Sequence, residues 1–304
     1  MSGGPERVYE VTHRTSYTYD AEVTRSYGRA NLIPRNGDGQ RRIAATVTTE
    51  PTPAELRDHT DFFGNRSTYF AVTTAHDRLQ IVARSTIAVQ RATVDPESLP
   101  DLTCGQIRAA LDAADDDPEL IEASPFRLPS PLVALHPAVA EFAKPLLSPN
   151  RPIGAVLVEL VEAIHDGFAY VSGSTTVRTT TAEVLESREG VCQDFAHLAV
   201  AVLRSAGVPA RYVSGYLETR PPPGRPRLQG ADASHAWASA YVPGWGWVDL
   251  DPTNRKLIDD SYVVVAIGRD YGDVPPLRGV IFTESTKSTL QVSVDVVPVE
   301  LTQR

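Results

Sequence analysis

The sequence predicts an α+β protein. An antiparallel β-sandwich-like module comes first, and a core follows in which a helix packs on an antiparallel sheet. Segments rich in β-branched and aromatic residues, separated by turn residues, fill residues 1–94. From residue 151 onwards, apolar residues at helical spacing alternate with further strand-like segments. At 304 residues the chain is long enough for one large domain or two ordinary ones.

The N-terminal module is predicted from alternation at a period of two. RVYEVTHRTSYTYD places Val8, Glu10 and Thr12 opposite Tyr9 and Val11 on the two faces of a strand. Later segments such as LQIVARSTIAVQ continue this composition, and turn clusters such as PRNGDGQ separate them. Several short strands at this spacing are typical of a sandwich.

The remaining chain divides into three regions. Residues 95–150 mix an acidic run with prolines and short helical pieces, and we expect them to connect two modules. Residues 151–268 carry the predicted helix-on-sheet core. Residues 269–304 contain two more strand-like segments, which we expect to pack back on the N-terminal module.

Charge and cysteine usage restrict the classes of partner. The net charge of −9 argues against nucleic acid and anionic membranes, because both favour clustered Lys and Arg. No apolar run approaches the roughly 20 residues that cross a bilayer, and the polar start MSGGPERVYE lacks a secretion signal. Two cysteines are too few for a disulfide framework. We therefore expect a cytoplasmic protein that binds neither nucleic acid nor membrane.

Two long helices are predicted in the core. Ile153, Val156, Leu157 and Leu160 recur at spacings of three and four, so a helix ends near Gly167. A second apolar stripe predicts a helix from about Cys192 to Ala206. Gly207 suits the position after its C-cap, and Pro209 prevents its continuation.

Cys192 lies in the first turn of this second helix. Unpaired N–H groups there favour a thiolate over a thiol, and they could bind an oxyanion that forms beside the sulfur. The alternative is that the thiol is a small buried hydrophobic group, which is the interpretation we give to Cys104.

A thiolate nucleophile needs a base and a group that orients the base. His235 is the best candidate, since His197 lies on another face of the Cys192 helix. A short turn joins the predicted strand of His235 to WGWVDLDPT, so an Asp of that second strand could contact His235. Both Asp249 and Asp251 are candidates on spacing alone.

In this order, Cys192, His235 and Asp251 resemble the transglutaminase-like superfamily, whose core is related to papain-type cysteine proteases. The resemblance rests on GVCQDFAHLAVAVLRSAGVPARYVSGY, on HAWASAYVPGWGW and on DPT. The N-terminal β region also resembles the module that precedes this core in bacterial members. The resemblance implies Cys192 as nucleophile, His235 as base and then acid, and Asp251, rather than Asp249, as the residue that orients the imidazole.

Three further residues are candidates for an oxyanion or substrate contact. Tyr170 falls roughly where related enzymes offer an aromatic donor, although a packed core tyrosine is the alternative. Gln193 follows the nucleophile but faces elsewhere on the helix. Trp237 lies on the same predicted strand as His235.

These residues favour an acyl-transfer enzyme that cleaves a peptide, isopeptide or carboxamide bond through a Cys192 thioester. We expect hydrolysis, as in a protease or amidase, and transfer to an amine, as in a protein-glutamine transglutaminase, is the first alternative. A non-catalytic binding or scaffold protein is the second. Zinc held by Cys192, His235 and an Asp is a weaker hypothesis, because the sequence has no paired Cys-x-x-Cys ligands. No calcium-loop pattern occurs either, so we expect no metal and no cofactor.

Overall fold

The fold is described from a computed structural model, in which residues 6–37, 39–114, 116–219 and 234–299 are described. The strands are β1 (Arg7–Ile33), β2 (Gln40–Glu50), β3 (Glu55–Thr60), β4 (Arg66–Val72), β5 (His76–Val89), β6 (Ala169–Tyr170), β7 (Glu189–Gly190), β8 (Ala210–Leu217), β9 (Ser234–Val242), β10 (Gly246–Asp251), β11 (Lys256–Leu257), β12 (Tyr262–Gly268), β13 (Leu277–Thr283) and β14 (Ser288–Val299). The α-helices are α1 (Cys104–Asp112), α2 (Pro118–Ala123), α3 (Pro137–Ala143), α4 (Ile153–Gly167), α5 (Thr181–Ser187) and α6 (Cys192–Ser205).

The N-terminal module is built around β1, a strand of 27 residues at the centre of a seven-stranded antiparallel sheet. Along one edge β1 pairs first with β5 and then with β4, and along the other edge it pairs with β14 and β13. Buried side chains from both halves of β1, among them Tyr19 and Leu32, share one apolar cluster with Phe70 and Leu79. The module is therefore a single antiparallel sheet with an apolar cluster that both halves of β1 share, and it includes the two C-terminal strands.

The second sheet carries the functional core. Its five antiparallel strands follow the order β11-β10-β9-β8-β12, and α6 packs on β8 and β9. The helix α6 lies between this sheet and α4, so its apolar residues, such as Leu198 and Leu203, are fully buried. Gly207 follows α6 with a φ of +78°, a conformation that side chains disfavour, and the helix ends there as predicted.

The region between the modules belongs to the same core. Ile107 of α1 and Val139 of α3 are fully buried in the cluster that contains Leu157 of α4 and Leu203 of α6. These helices therefore complete the apolar interior around α6.

The N-terminal sheet packs directly against the second sheet. Tyr9 and Val11 of β1 and Val294 of β14 share a buried cluster with Tyr216 of β8 and Val263 of β12. The two sheets are thus held together by apolar burial as well as by polar contacts. In the described ranges, no helix combines the length and apolar character that crossing a bilayer requires.

Candidate active site

Cys192 is the first residue of α6, and local contacts fix it there. The Oδ2 atom of Asp194 accepts a hydrogen bond from the backbone N–H of Val191 at 2.8 Å, which caps the start of the helix. A Cβ atom at Gly190 would lie 3.0 Å from the Cβ atom of Asp194 and equally close to the ring of Phe195. A side chain at this position would therefore push against the first turn of the helix, and glycine avoids this contact. The half-buried sulfur sits at the end of α6 whose N–H groups are unpaired.

His235 and Asp251 meet because their strands are neighbours. The turn at residues 243–245 joins β9 to β10, which pair in antiparallel register. His235 lies at the start of β9 and Asp251 at the end of β10, so the hairpin brings them to one end of the sheet. The Nε2 atom of His235 lies 2.7 Å from the Oδ2 atom of Asp251.

The sulfur of Cys192 completes the arrangement. Its side chain lies close enough to the ring of His235 to contribute, with Asp251, to raising the pKa of the imidazole. Because Nε2 faces Asp251, Nδ1 is the ring nitrogen left for the sulfur. The structure thus brings together Cys192, His235 and Asp251, the three side chains that the sequence predicts to act together.

The electrostatics of the pair favour an ion pair. Burial alone would lower the pKa of His235, but Asp251 and Cys192 raise the pKa to about 10. Burial alone would raise the pKa of Asp251, but the hydrogen bonds and charge of His235, with help from Asn254 and Tyr262, hold this pKa below its ordinary value. Asp251 is therefore an anion, and it stabilises an imidazolium beside the sulfur.

Asp251 is held by more donors than the sequence predicted. Its Oδ1 atom accepts the backbone N–H groups of Thr253 and Asn254 at 2.9 and 3.2 Å. Its Oδ2 atom accepts the side-chain amide of Asn254 and the hydroxyl of Tyr262, each at 2.7 Å, in addition to His235. The run Asp-Pro-Thr-Asn is a turn signal that points to Asn254. Tyr262 comes from the separate strand β12, and no local pattern indicates it.

Tyr170 lies at the surface near the start of α6, because β6 pairs with β7, which ends two residues before Cys192. Its side chain is 55% exposed, so it is not a packed core tyrosine, and its ring packs edge-on against Phe195. Burial and the charges of Cys192 and Asp194 raise the pKa of Tyr170, which keeps its hydroxyl protonated and able to donate. Gln193 is half-buried at the second position of α6.

Trp237 occupies a different environment from the one expected for a substrate contact. The indole is fully buried, its Nε1 atom donates to the Oδ2 atom of Asp249 at 3.2 Å, and its ring packs edge-on against Tyr262. It therefore presents no surface to a substrate, and the centroid of its ring lies 6.1 Å from that of His235. This contact also gives Asp249 a partner other than His235.

The remaining site hypotheses concern His197 and a metal. His197 is buried and its Nε2 atom accepts the backbone N–H of Tyr271 at 3.1 Å, while burial lowers the pKa of His197 to about 4. It is thus a neutral structural residue. Within the ranges that the structure describes, no three His, Cys, Asp or Glu side chains cluster so as to hold a metal ion.

Comparisons with known proteins agree with this architecture. The family described as "Bacterial transglutaminase-like N-terminal region" matches residues 9–88, and the family described as "Transglutaminase-like superfamily" matches residues 140–252. An uncharacterised protein of Mycobacterium tuberculosis is 47% identical over 306 residues, which cover 96% of this chain and 93% of that protein. A protein-glutamine gamma-glutamyltransferase of Pseudomonas aeruginosa is 32% identical over 106 residues, which cover 34% of this chain and 16% of that protein.

Among solved structures, the fold resembles that of a protein described as a "putative cysteine protease" from Cytophaga hutchinsonii. The TM-score is 0.76 at 20% identity, and the match covers 99% of this chain and 94% of that one. At this identity the likeness concerns the fold. Together with the two family matches, it identifies this chain as a member of the transglutaminase-like superfamily.

Proposed function

We propose that the protein is a thiol-dependent acyl-transfer enzyme that hydrolyses peptide, isopeptide or carboxamide bonds. The observation that carries the proposal is the His235–Asp251 pair with Cys192 close to the His235 ring, at the first turn of α6. This arrangement supplies an activated nucleophile, a proton carrier and an orienting carboxylate.

In the first half of the proposed reaction the Cys192 thiolate attacks the substrate carbonyl carbon. The carbonyl electrons move to oxygen, and the unpaired N–H groups at the start of α6 stabilise the oxyanion, with the Tyr170 hydroxyl as a second donor. When the C–N bond breaks, the Nδ1 proton of the His235 imidazolium passes to the leaving amine. A thioester and a neutral imidazole remain, while Asp251 holds the ring through Nε2.

In the second half a water molecule attacks the thioester. His235 accepts the proton of the water, the carboxylic acid leaves, and the thiolate–imidazolium pair is restored. The half-buried sulfur and the exposed Tyr170 beside it support water as the acceptor, because the site is open to solvent. We propose a peptide or protein substrate, since the acidic chain does not favour nucleic acid or anionic membranes.

A Cys192→Ala variant and a Cys104→Ala variant provide a matched test. The chain has two cysteines, and burial raises the pKa of the Cys104 thiol to about 11, which makes it a poor nucleophile. We expect Cys192→Ala to lose about three orders of magnitude in turnover of a peptide library, and Cys104→Ala to keep wild-type turnover. A Cys192 that iodoacetamide alkylates no faster than Cys104 would contradict the proposal and favour a binding or scaffold protein.

Transfer to an amine is a second candidate function. It is favoured by the local similarity to the Pseudomonas aeruginosa protein-glutamine gamma-glutamyltransferase. Both reactions share the thioester, so the acceptor alone distinguishes them. Incubation with a glutamine-containing peptide and a labelled primary amine, followed by mass spectrometry, separates the two: amide incorporation indicates transfer, and free acid indicates hydrolysis.

A further inference from the structure

The hydroxyl of Tyr262 donates to the Oδ2 atom of Asp251 at 2.7 Å, and both side chains are fully buried. Its ring also lies against the rings of His235 and Trp237, with centroids 6.2 and 5.2 Å away. Tyr262 therefore touches both members of the His–Asp pair. A hydrogen bond to a buried carboxylate depends steeply on the donor position, so the placement of Tyr262 affects the charge of Asp251.

The N-terminal module binds the turn that leads into Tyr262. Arg91, which follows β5, donates from Nη1 to the backbone carbonyl oxygens of Tyr262 at 3.0 Å and Asp259 at 3.3 Å. The hydroxyl of Tyr9 on β1 donates to the carbonyl oxygen of Asp260 at 3.0 Å. Two residues of the N-terminal module thus hold the backbone immediately before and at Tyr262.

Ion pairs around the buried carboxylate of Glu218 reinforce the same contact. Arg7 pairs with Glu218 at 2.7 Å and with Asp260 at 3.2 Å. Glu218 is only 9% exposed, accepts the Tyr9 hydroxyl at 3.1 Å, and donates its backbone N–H to Ser261 at 3.0 Å. Because a buried charge is costly without its partners, this set of contacts resists small displacements of the turn.

We propose that the N-terminal module positions the Asp251 carboxylate through Tyr262, so that the module is part of the catalytic apparatus rather than an appended domain. Tyr262 is the positioning residue, and Arg91 and Tyr9 act through it. The inference rests on the proposed function only in so far as Asp251 serves His235 in catalysis. The contacts themselves do not depend on turnover.

The first test compares Tyr262→Phe with Tyr241→Phe. Tyr241 is also a buried tyrosine bonded to a carboxylate, Glu119, away from the His–Asp pair. Loss of the Tyr262 hydroxyl removes one donor from Asp251, so the carboxylate should be protonated more easily. On acidification, its ion pair with His235 should therefore be lost at a higher pH than in the wild type. The readout is the rate of Cys192 alkylation by iodoacetamide as a function of pH. We expect the fall of this rate at acid pH to move upward by about one pH unit in Tyr262→Phe and to stay in place in Tyr241→Phe.

The second test asks whether the N-terminal module acts through Tyr262. Arg91→Ala should move the acid fall of the alkylation rate in the same direction by about half as much. Arg91→Lys keeps a donor and the charge, so its pH profile should stay close to that of the wild type. Arg41→Ala, at an exposed arginine of β2 paired with Glu6, is the control and should have no effect. In the double variant Tyr262→Phe/Arg91→Ala, the shift should equal that of Tyr262→Phe alone.

Four results would overturn the inference: no shift in Tyr262→Phe, equal shifts in Tyr262→Phe and Tyr241→Phe, no shift in Arg91→Ala, or additive shifts in the double variant. If Arg91→Ala does not fold, Tyr9→Phe replaces it, because this change removes one hydroxyl and no charge. Failure of the proposed function is recognised separately, as a wild-type Cys192 no more reactive than Cys104. In that case the NMR resonance of the His235 Nε2 proton provides the readout, and it should change in Tyr262→Phe and Arg91→Ala but in neither control.

Discussion

His235 and Asp251 form a buried pair in which the ring Nε2 atom lies 2.7 Å from a carboxylate oxygen, and their side chains are 8% and 0% exposed. The pair lies at one end of the β9–β10 hairpin, and Cys192 is close enough to contribute to the raised pKa of the ring. Because the carboxylate also accepts bonds from Asn254 and Tyr262, its orientation is fixed before any substrate binds.

Asp251→Asn should abolish most activity. An asparagine has no charge to stabilise the imidazolium, and its amide could hold the ring in the wrong tautomer. We expect peptide turnover to fall by about three to four orders of magnitude, measured as kcat/KM under conditions where the variant is folded.

Asp249→Asn is the control for this change. Asp249 lies on the same strand, but its carboxylate accepts the indole N–H of Trp237, and an asparagine oxygen can accept the same bond. Turnover should stay within about tenfold of the wild type. Equal losses in the two variants would mean that Asp251 has no special role.

The raised pKa of His235 makes stability depend on pH. In the folded protein this pKa is about 10 against an ordinary value of 6.5, so the stabilisation is fully present below 6.5 and is lost as the pH rises through 10. Denaturant unfolding of the wild type should therefore show a fall in the free energy of unfolding over this range, on the order of a few kcal/mol. His235→Asn should lack this part of the fall, and parallel pH profiles for the two proteins would contradict the ion pair.

The parts of the site that the sequence could predict are those fixed by local chain geometry. The apolar stripe and Gly207 define α6, so the position of Cys192 follows from residues close to it in sequence. A short turn joins the strands of His235 and Asp251, so their proximity also follows from a local hairpin.

The parts that could not be predicted depend on packing between distant segments. Trp237 lies on the same strand as His235, and no sequence pattern indicates that Tyr262 of β12 covers it. The contacts of Arg91 with the backbone of Asp259 and Tyr262 join residues that lie 168 and 171 positions apart in the sequence. Such contacts are set by how two sheets dock, and the alternation of polar and apolar residues carries no information about that docking.

Gly190→Ala should disturb the start of α6. The added Cβ atom would lie 3.0 Å from the Cβ atom of Asp194 and from the ring of Phe195, so these two residues of the first turn of α6 would have to move by a few tenths of an ångström. We expect a loss of about 1–3 kcal/mol in the free energy of unfolding and slower alkylation of Cys192.

Gly105→Ala is the matched control. Gly105 lies in α1, and the nearest atom to an added Cβ there is the Oγ1 atom of Thr103 at 3.8 Å, an ordinary contact. Because alanine favours a helix, this variant should be unchanged or stabilised by up to about 1 kcal/mol. Destabilisation of both variants to the same degree would show that the close approach at Gly190 is unimportant.

Asp194→Ala should reduce both stability and turnover, because Asp194 joins two segments beside the sulfur. Its Oδ2 atom accepts the backbone N–H of Val191 and the hydroxyl of Thr175, at 2.8 and 2.6 Å. Loss of both bonds should cost about 1–2 kcal/mol of unfolding free energy, and displacement of Cys192 should lower peptide turnover by about tenfold.

Glu183→Ala removes an equivalent cap from α5, where Glu183 accepts the backbone N–H of Thr180 at 2.7 Å. That control should lower stability and leave turnover unchanged, so a similar fall in turnover in both variants would indicate a general loss of folded protein instead of a local effect at Cys192.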